Sequence, residues 1–487
     1  MNFSDMNFKR KFSMNFCKTL KVPMSKMTFT SDFTNTERGD LYPIIYKESG
    51  AVEHVCPAKY SVNYGTVERL LCAFFPFATH KMKIKKVSGS VGFAFVGPEA
   101  RCTVVIEDDG WNTSIVAAYE GEEKRVKIPR DIEGELALVV SARPGSFDVY
   151  ISANGVLDYV TTVNVPSFEE SNRESFYQSA KVHTLLSGDC VITGAETYVD
   201  CGIGQADIRP FRYENGDLYM ENGRVFLTFS ARMVIGSYQG ILSWLPGTSD
   251  FKMEGAVFYD VGTGVTHGDV ATAYVYHRGE GKWYMWQRSA GAGHVLAKTS
   301  FNHDIRYGIN IVDVEALPHM TEENMCDEML LGKKGDEDPD FMYDEERGKW
   351  LFAICRLAGN SKKYQYFFFE SDYPDRDYVY VGRGPAGEET GGSIVKLDGK
   401  IYFACGNDFK KKSDYRVYEW GKFDTFTNLK CDYPDGGFRG WATILPVKYG
   451  RRTRYFWLTF DRTLMSKIHN WSYGNIYCFE AEGHFPV

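Results

Sequence analysis

The sequence predicts an all-β protein in two parts, an N-terminal β-sandwich followed by a five-bladed β-propeller. Three observations lead there. Apolar and polar residues alternate over short runs, the periodicity of half-buried strands. Aromatic residues make up 15 % of the chain and glycine supplies 47 positions, a composition suited to sheets joined by tight turns. A hairpin-like unit also recurs five times in the C-terminal part. At 487 residues the chain is too long for one ordinary core, which fits a division into two.

Residues 1–28 are basic and rich in Met but lack the apolar segment of a secretory signal, so they are expected to be an extension without assigned structure, with Met24 and Met27 as alternative starts. Residues 29–200 read as short strands. "ELALVVSARPGSFDVYIS" (135–152) is a hairpin turning at "RPGS", with Phe147, Val149 and Ile151 alternating against polar neighbours. "SVGFAFVG" and "RCTVVIEDDG" add two strands, and an antiparallel sandwich is the simplest arrangement. "SFEESNRESFYQSA" (167–180) reads as a short helix or a polar connection. The sandwich is expected to pack against the propeller's side and to stand apart from any chemistry.

Residues 201–487 carry the repeat: "LYMENGRVFLTFS", "AYVYHRGEGKWYMWQ", "FMYDEERGKWLFAIC", "SIVKLDGKIYFACG" and "LPVKYGRRTRYFWLTF". Each is a short strand, a turn ending in Gly-Lys or Gly-Arg, and an aromatic strand. The turn glycines, Gly223, Gly281, Gly348, Gly399 and Gly450, are spaced 51 to 67 residues apart. A central hairpin at that period is the pattern of propeller blades with four strands each.

Composition removes several function classes. The net charge of −8 provides no basic footprint for nucleic acid. The longest apolar stretch, near "LLCAFFPFA", is far short of the roughly 20 residues of a membrane helix. Eleven Cys are scattered without a Cys-x-x-Cys pair, so no metal site or cofactor is expected, and the reading is reduced thiols in a cytoplasmic protein. No Gly-x-Ser-x-Gly elbow or His-Glu-x-x-His occurs, and "GIGQAD" lacks a following helix pattern for a nucleotide loop.

Acidic residues stand ahead of the repeats. In "GDEDPDFMYDEERGKW", Asp338 lies ten residues before Gly348, and Glu389 in "GEETGGSIVKLDGK" lies ten before Gly399. Asp269 precedes Gly281 by twelve, and Asp207 precedes Gly223 by sixteen. Residues just before each innermost strand face one mouth of a propeller, so these carboxylates are expected to meet there although distant in sequence. Asp338 before Pro339 also suits a plain turn. Asp336, Glu337 and Asp340 are expected to be solvated or to alternate outward. Arg209, His267, Asp269, Arg288 and Arg356 are candidates for substrate binding, as is Trp441, whose ring would stack on a sugar or be buried between blades.

The C-terminal two-thirds resembles the five-bladed β-propeller glycoside hydrolases, the arabinanase/xylosidase and invertase/levansucrase groups. "DPDFMYDEERGKW" is similar to their third-blade pattern of Asp-Pro, a short apolar strand, an acidic turn and Gly-Lys-Trp. The resemblance implies that Asp338 holds the sugar and tunes the acid. It implies a general acid at Glu389, with Glu388 an alternative, and a base or nucleophile at Asp207, with Glu214 and Asp217 as rivals. The invertase-type Asn-Asp-Pro-Asn is missing, and the sandwich precedes the propeller, whereas in invertases it follows. The expected function is hydrolysis of a glycosidic bond in a small oligosaccharide or glycoside by carboxylate acid/base catalysis. The alternatives are a non-catalytic carbohydrate-binding propeller, or a phosphorylase or transglycosylase on the same fold.

Overall fold

The computed structural model describes residues 3–24, 66–129, 136–188, 190–268, 270–289, 295–317, 336–357, 363–385, 387, 389–407, 414–431, 438–461, 475–483 and 485–486. The fold is all-β. Two six-stranded antiparallel sheets form the sandwich. One runs in the order Val156–Asn164, Ser146–Ala153, Leu136–Arg143, Thr79–Lys86, Val191–Asp200, Lys21–Pro23. The other runs Thr66–Ala73, Lys181–Gly188, Gly89–Val96, Arg101–Asp108, Thr113–Tyr119, Glu122–Ile128. Leu136–Arg143 and Ser146–Ala153 form the expected hairpin, closed by the Arg143–Ser146 pair. Inward-facing Phe93, Phe95, Phe147 and Phe168 fill the space between the sheets.

The last sandwich strand ends at Asp200 and the first propeller strand starts at Gly204. The innermost strands of the five blades are Gly204–Tyr213, Val270–His277, Glu337–Asp344, Glu389–Leu397 and Phe438–Tyr449. Each runs down from the mouth and turns back through a hairpin. Gly223, Gly281, Gly348, Gly399 and Gly450 all lie in those turns with φ between 58° and 77°. That is the left-handed region, which glycine enters without a Cβ penalty, and it explains why the repeat shows in the sequence. The first two blades are fused through parallel pairing of their inner strands, Phe211 with Tyr274 and Tyr213 with Tyr276. The first blade also gains a fifth strand, Gly308–Asp313, parallel to its Phe251–Asp260.

Within residues 1–28, expected to be an extension without assigned structure, the described residues 3–24 complete the ring. Asn7–Met14 pairs antiparallel with Ile476–Ala481 as the outer strand of the fifth blade, and its first residues run parallel to Lys430–Cys431. In "NFKRKFSM" Phe8 pairs with Ala481 and packs into the core beside Phe479, while a bulge after Arg10 turns Phe12 and Met14 to the opposite face, paired with Cys478 and Ile476; the lysines and arginine between them mask the pattern as a basic tail. Phe8 is buried against Trp457 at 5.8 Å, and Lys11 pairs with Glu480 at 3.2 Å. From there the chain crosses to the sandwich, where Lys21–Pro23 adds an edge strand.

The sandwich packs against the first blade. One apolar core runs through both regions: Phe75 and Phe77 meet Phe258 of the first blade at 5.1 and 4.8 Å, and Phe16 meets Phe251 at 5.1 Å. A buried Lys18–Asp200 ion pair at 2.6 Å, satisfied further by Thr79 and Ser141, lies where the N-terminal segment, sandwich and propeller join. Arg143 of the sandwich donates to the Ile235 carbonyl at 3.0 Å, in the turn that follows Arg232.

Candidate active site

Every inner strand breaks register with its neighbour at the same place. The slip covers Asp207–Ile208, Ala271–Thr272, Asp338–Pro339 and Gly391–Gly392, and in the fifth blade it falls between Arg439 and Thr443. The leading residue of the first four bulges has φ of 55°, 55°, 50° and 61°. This is a β-bulge whose first residue is left-handed, a position that glycine fills at least cost. Gly391 fits that rule. Ala271 adopts the same conformation with only a methyl group, so the bend belongs to the blade and does not depend on a side chain. At Asp207 and Asp338 a carboxylate occupies a position that costs a non-glycine residue about 1 kcal/mol or more.

The bulges correct the register argument. Asp207 and Asp338 are equivalent positions in two blades. Glu389 lies two residues before its bulge and so matches Asp336, not Asp338. Counting back from the turn glycines misaligned them because the third-blade hairpin closes with Asp344–Lys349 and the fourth with the tighter Leu397–Lys400.

Asp207 is buried, with Oδ2 at 2.9 Å from Nη2 of Arg232 at the end of the next strand. The Oδ2 atom of Asp338 accepts hydrogen bonds from the Thr390 hydroxyl and the Gly391 amide, each at 3.0 Å, which ties the third blade to the fourth. Burial raises the Asp338 pKa, and the negative charge of Asp207 raises it further. Arg209 and the two hydrogen bonds pull the other way, and the net direction is up. The charge of Asp207 is therefore felt at Asp338.

Beneath them lies a charged layer. Arg209 donates to the Gly392 carbonyl at 2.5 Å, stands 3.8 Å from Asp340 and packs over Trp441 at 5.2 Å. Asp340 also pairs with Arg212 and accepts from the Ile394 amide at 2.6 Å. Asp336 pairs with Arg356. Asp336 and Asp340, expected to be solvated, are buried because each meets an arginine contributed by another strand. Trp441 is buried, with Nε1 donating to the Ile208 carbonyl at 2.8 Å, so its ring backs Arg209 and offers no open face to a sugar.

Glu389 has no exposed surface. Its Oε2 accepts the Tyr366 amide at 3.1 Å, and its Oε1 accepts the Tyr418 hydroxyl and faces Arg416 at 3.3 Å. Burial raises its pKa and those three donors offset part of the shift. Glu337 differs: its side chain is 26 % exposed, it pairs with Arg288 of the second blade at 3.3 Å and it accepts from the Tyr364 hydroxyl at 3.2 Å. His267 sits on the strap between the first two blades, its backbone exchanging hydrogen bonds with Tyr259. Asp269 and Glu388 lie outside the described residues. Glu214 pairs with Arg278 and Asp217 with Lys448, away from the bulges.

Arg232, Tyr366, Thr390, Arg416 and Tyr418 were not candidates from the sequence. For Arg232 a signal existed: it closes "FLTFSAR" as Arg288 closes "WYMWQR" and Arg356 closes "WLFAICR". The others are recruited from neighbouring strands and leave no pattern. Among the described residues, no group of three or more His, Cys, Asp or Glu has the arrangement to hold a metal ion.

No protein-family model and no curated protein matches the chain. In fold the chain is similar to propeller glycoside hydrolases among the solved structures. A thermostable family-43 glycoside hydrolase aligns at 13 % identity over 57 % of this chain and 89 % of that one, with a TM-score of 0.36. The α-L-arabinanase of Penicillium chrysogenum complexed with arabinobiose aligns at 9 % identity over 71 % of this chain and 89 % of that one, with a TM-score of 0.34. A Caenorhabditis elegans galectin aligns at 10 % identity over 30 % of this chain and 98 % of that one, with a TM-score of 0.21.

Proposed function

We propose that this protein hydrolyses a glycosidic bond in a small oligosaccharide. The observation that carries the reading is the pair Asp207 and Asp338, which occupy equivalent left-handed bulges of two blades and are buried within reach of each other's charge. Glycoside hydrolysis needs carboxyl groups in one site whose environments drive them to different protonation states. Asp207, tied to Arg232, is the carboxylate that takes a proton from water or attacks the anomeric carbon. Asp338, desolvated and facing Asp207, holds sugar hydroxyls and raises the proton affinity of its neighbours. Arg209 supports both from below. Glu389, to which the resemblance gives the proton, has both oxygens engaged and no exposed surface, and serves here as the buried anchor between the third and fourth blades.

A phosphorylase would need several cationic side chains converging on one phosphate. In this site Arg232, Arg288, Arg356 and Arg416 each face a carboxylate, which favours water as the acceptor. The test is a panel of chromogenic arabinosides, fructosides, xylosides and galactosides, with and without phosphate, comparing wild type with Asp338→Asn. Turnover of one class by the wild type, independent of phosphate and lowered by the substitution, supports hydrolysis. Binding of oligosaccharides without turnover of any member leaves a carbohydrate-binding propeller instead.

A further inference from the structure

A proton donor must present an oxygen to the leaving group. Among the acids of this site, Asp336, Asp338, Asp340 and Glu389 are all buried. Among the described residues, Glu337 is the one acid near Asp338 that keeps more than a quarter of its side chain exposed, at 26 %. It stands one residue before the Asp338 bulge, at the seam between the second and third blades. Arg288 comes from the second strand of the second blade and Tyr364 from the third strand of the third blade. Both engage the same oxygen, Oε1, at 3.3 and 3.2 Å. Among the described residues, Oε2 receives no hydrogen bond. The carboxyl is thus fixed by one oxygen and presents the other.

We infer that Glu337 is the proton donor of this site, its Oε2 delivering the proton to the leaving oxygen. The inference rests on the glycosidase reading above and assigns within it the role that Glu389 is too enclosed to fill. In the step, the bond between the anomeric carbon and the glycosidic oxygen breaks. The oxygen keeps the electron pair and takes the proton of Glu337. Water bonds to the carbon and gives a proton to Asp207. The products are two sugar hydroxyls, and exchange with solvent returns Glu337 and Asp207 to their starting states.

The surroundings suit the role. Burial raises the Glu337 pKa, the charge of Arg288 lowers it, Asp338 and Asp207 raise it, and the Tyr364 hydroxyl lowers it, with the net direction up. Cys355, its partner across the strand pair, is buried and has its own pKa raised well above the ordinary thiol value, so it brings no charge near neutral pH. A raised pKa keeps the acid form populated toward neutral pH, as a general acid requires.

The test uses the full-length protein and the glycoside class that the wild type turns over. Each variant is assayed on an oligosaccharide with a poor leaving group and on the matching dinitrophenyl glycoside. For Glu337→Gln the expected result is a loss of about 10²–10⁴-fold on the oligosaccharide and less than about 10-fold on the activated substrate, the range for removal of a general acid. The alkaline limb of the kcat/KM profile should disappear as well. Glu389→Gln should lower both rates by the same factor and keep that limb. Should Glu337→Gln fold poorly, Glu337→Ala with wild-type melting behaviour and a series of aryl leaving groups gives the same readout: the rate of the variant should fall steeply with leaving-group pKa and that of wild type should not. Equal losses on both substrates, or wild-type rates on both, overturn the inference while wild-type turnover leaves the glycosidase reading in place. No wild-type turnover on either substrate overturns both.

Discussion

A chain begun at Met24 should lose most of its folding stability. The deletion removes the strand Asn7–Met14 that completes the fifth blade, together with the buried side chains of Phe3, Met6, Phe8 and Phe16. At about 1.5–3 kcal/mol for each fully buried large apolar side chain, the burial lost is about 6–12 kcal/mol. The deletion also removes Lys18 and leaves Asp200, which has no exposed surface, as a buried carboxylate without its cation. Breaking a buried pair on one side costs about 3–5 kcal/mol. The sum equals or exceeds the roughly 5–15 kcal/mol of a typical domain, so the truncated protein should not show a cooperative native state at 25 °C. Smaller perturbations grade the effect. Phe8→Ala should cost about 3–5 kcal/mol, the usual range for a buried Phe. Lys18→Met should cost about 3–5 kcal/mol through the stranded Asp200. Urea unfolding followed by tryptophan fluorescence and far-ultraviolet circular dichroism measures all three. A truncated chain that unfolds within about 1 kcal/mol of the full-length protein would refute the closure of the ring by the N-terminal strand, because no repacking of one blade edge recovers that much burial.

Asp207→Asn should reduce turnover of activated and unactivated glycosides alike, by about 10²-fold or more, since the base or nucleophile is needed whatever departs; steady-state kinetics on both substrate types check this. Ala271→Gly should raise stability by roughly 0.5–1 kcal/mol in urea unfolding, because it relieves a left-handed alanine against a modest entropic penalty. His80, fully enclosed in the sandwich with Nδ1 against Thr197, has its pKa lowered to about 3 by burial. The unfolded chain therefore takes up a proton below about pH 6.5 that the native protein refuses, and stability is lost as pH falls from there toward 3. His80→Leu should lack this contribution, about 1.4 kcal/mol per pH unit, in the difference between the two proteins' stability profiles over pH 4–6.

What could be read in advance was local. Gly223, Gly281, Gly348, Gly399 and Gly450 each mark a turn within a few residues of the strands they join, so the five blades appeared as a repeat in the one-dimensional pattern. The hairpin of Leu136–Arg143 and Ser146–Ala153 was visible for the same reason. Asp207 and Asp338 stood out as acids upstream of the turn glycines, and they lie in bulges near the start of the inner strands. Their equivalence was hidden, since it is set by the bulge and not by distance to the next glycine.

The sequence by itself determined the strands, the turns and the acids that stand at the head of the blades, because alternation and left-handed glycines act over neighbouring residues. Only the tertiary structure decided which acids are buried, which are paired and which face outward. Arg212 and Asp340, Arg209 and Gly392, and Phe8 and Trp457 come from different blades or opposite ends of the chain, and their contacts arise from closing a ring. A carboxylate's solvation and charge neighbours follow from that closure. So Asp340 became an interior ion, Glu389 a sealed anchor and Glu337 the acid with an open oxygen, although all three look alike in the linear chain.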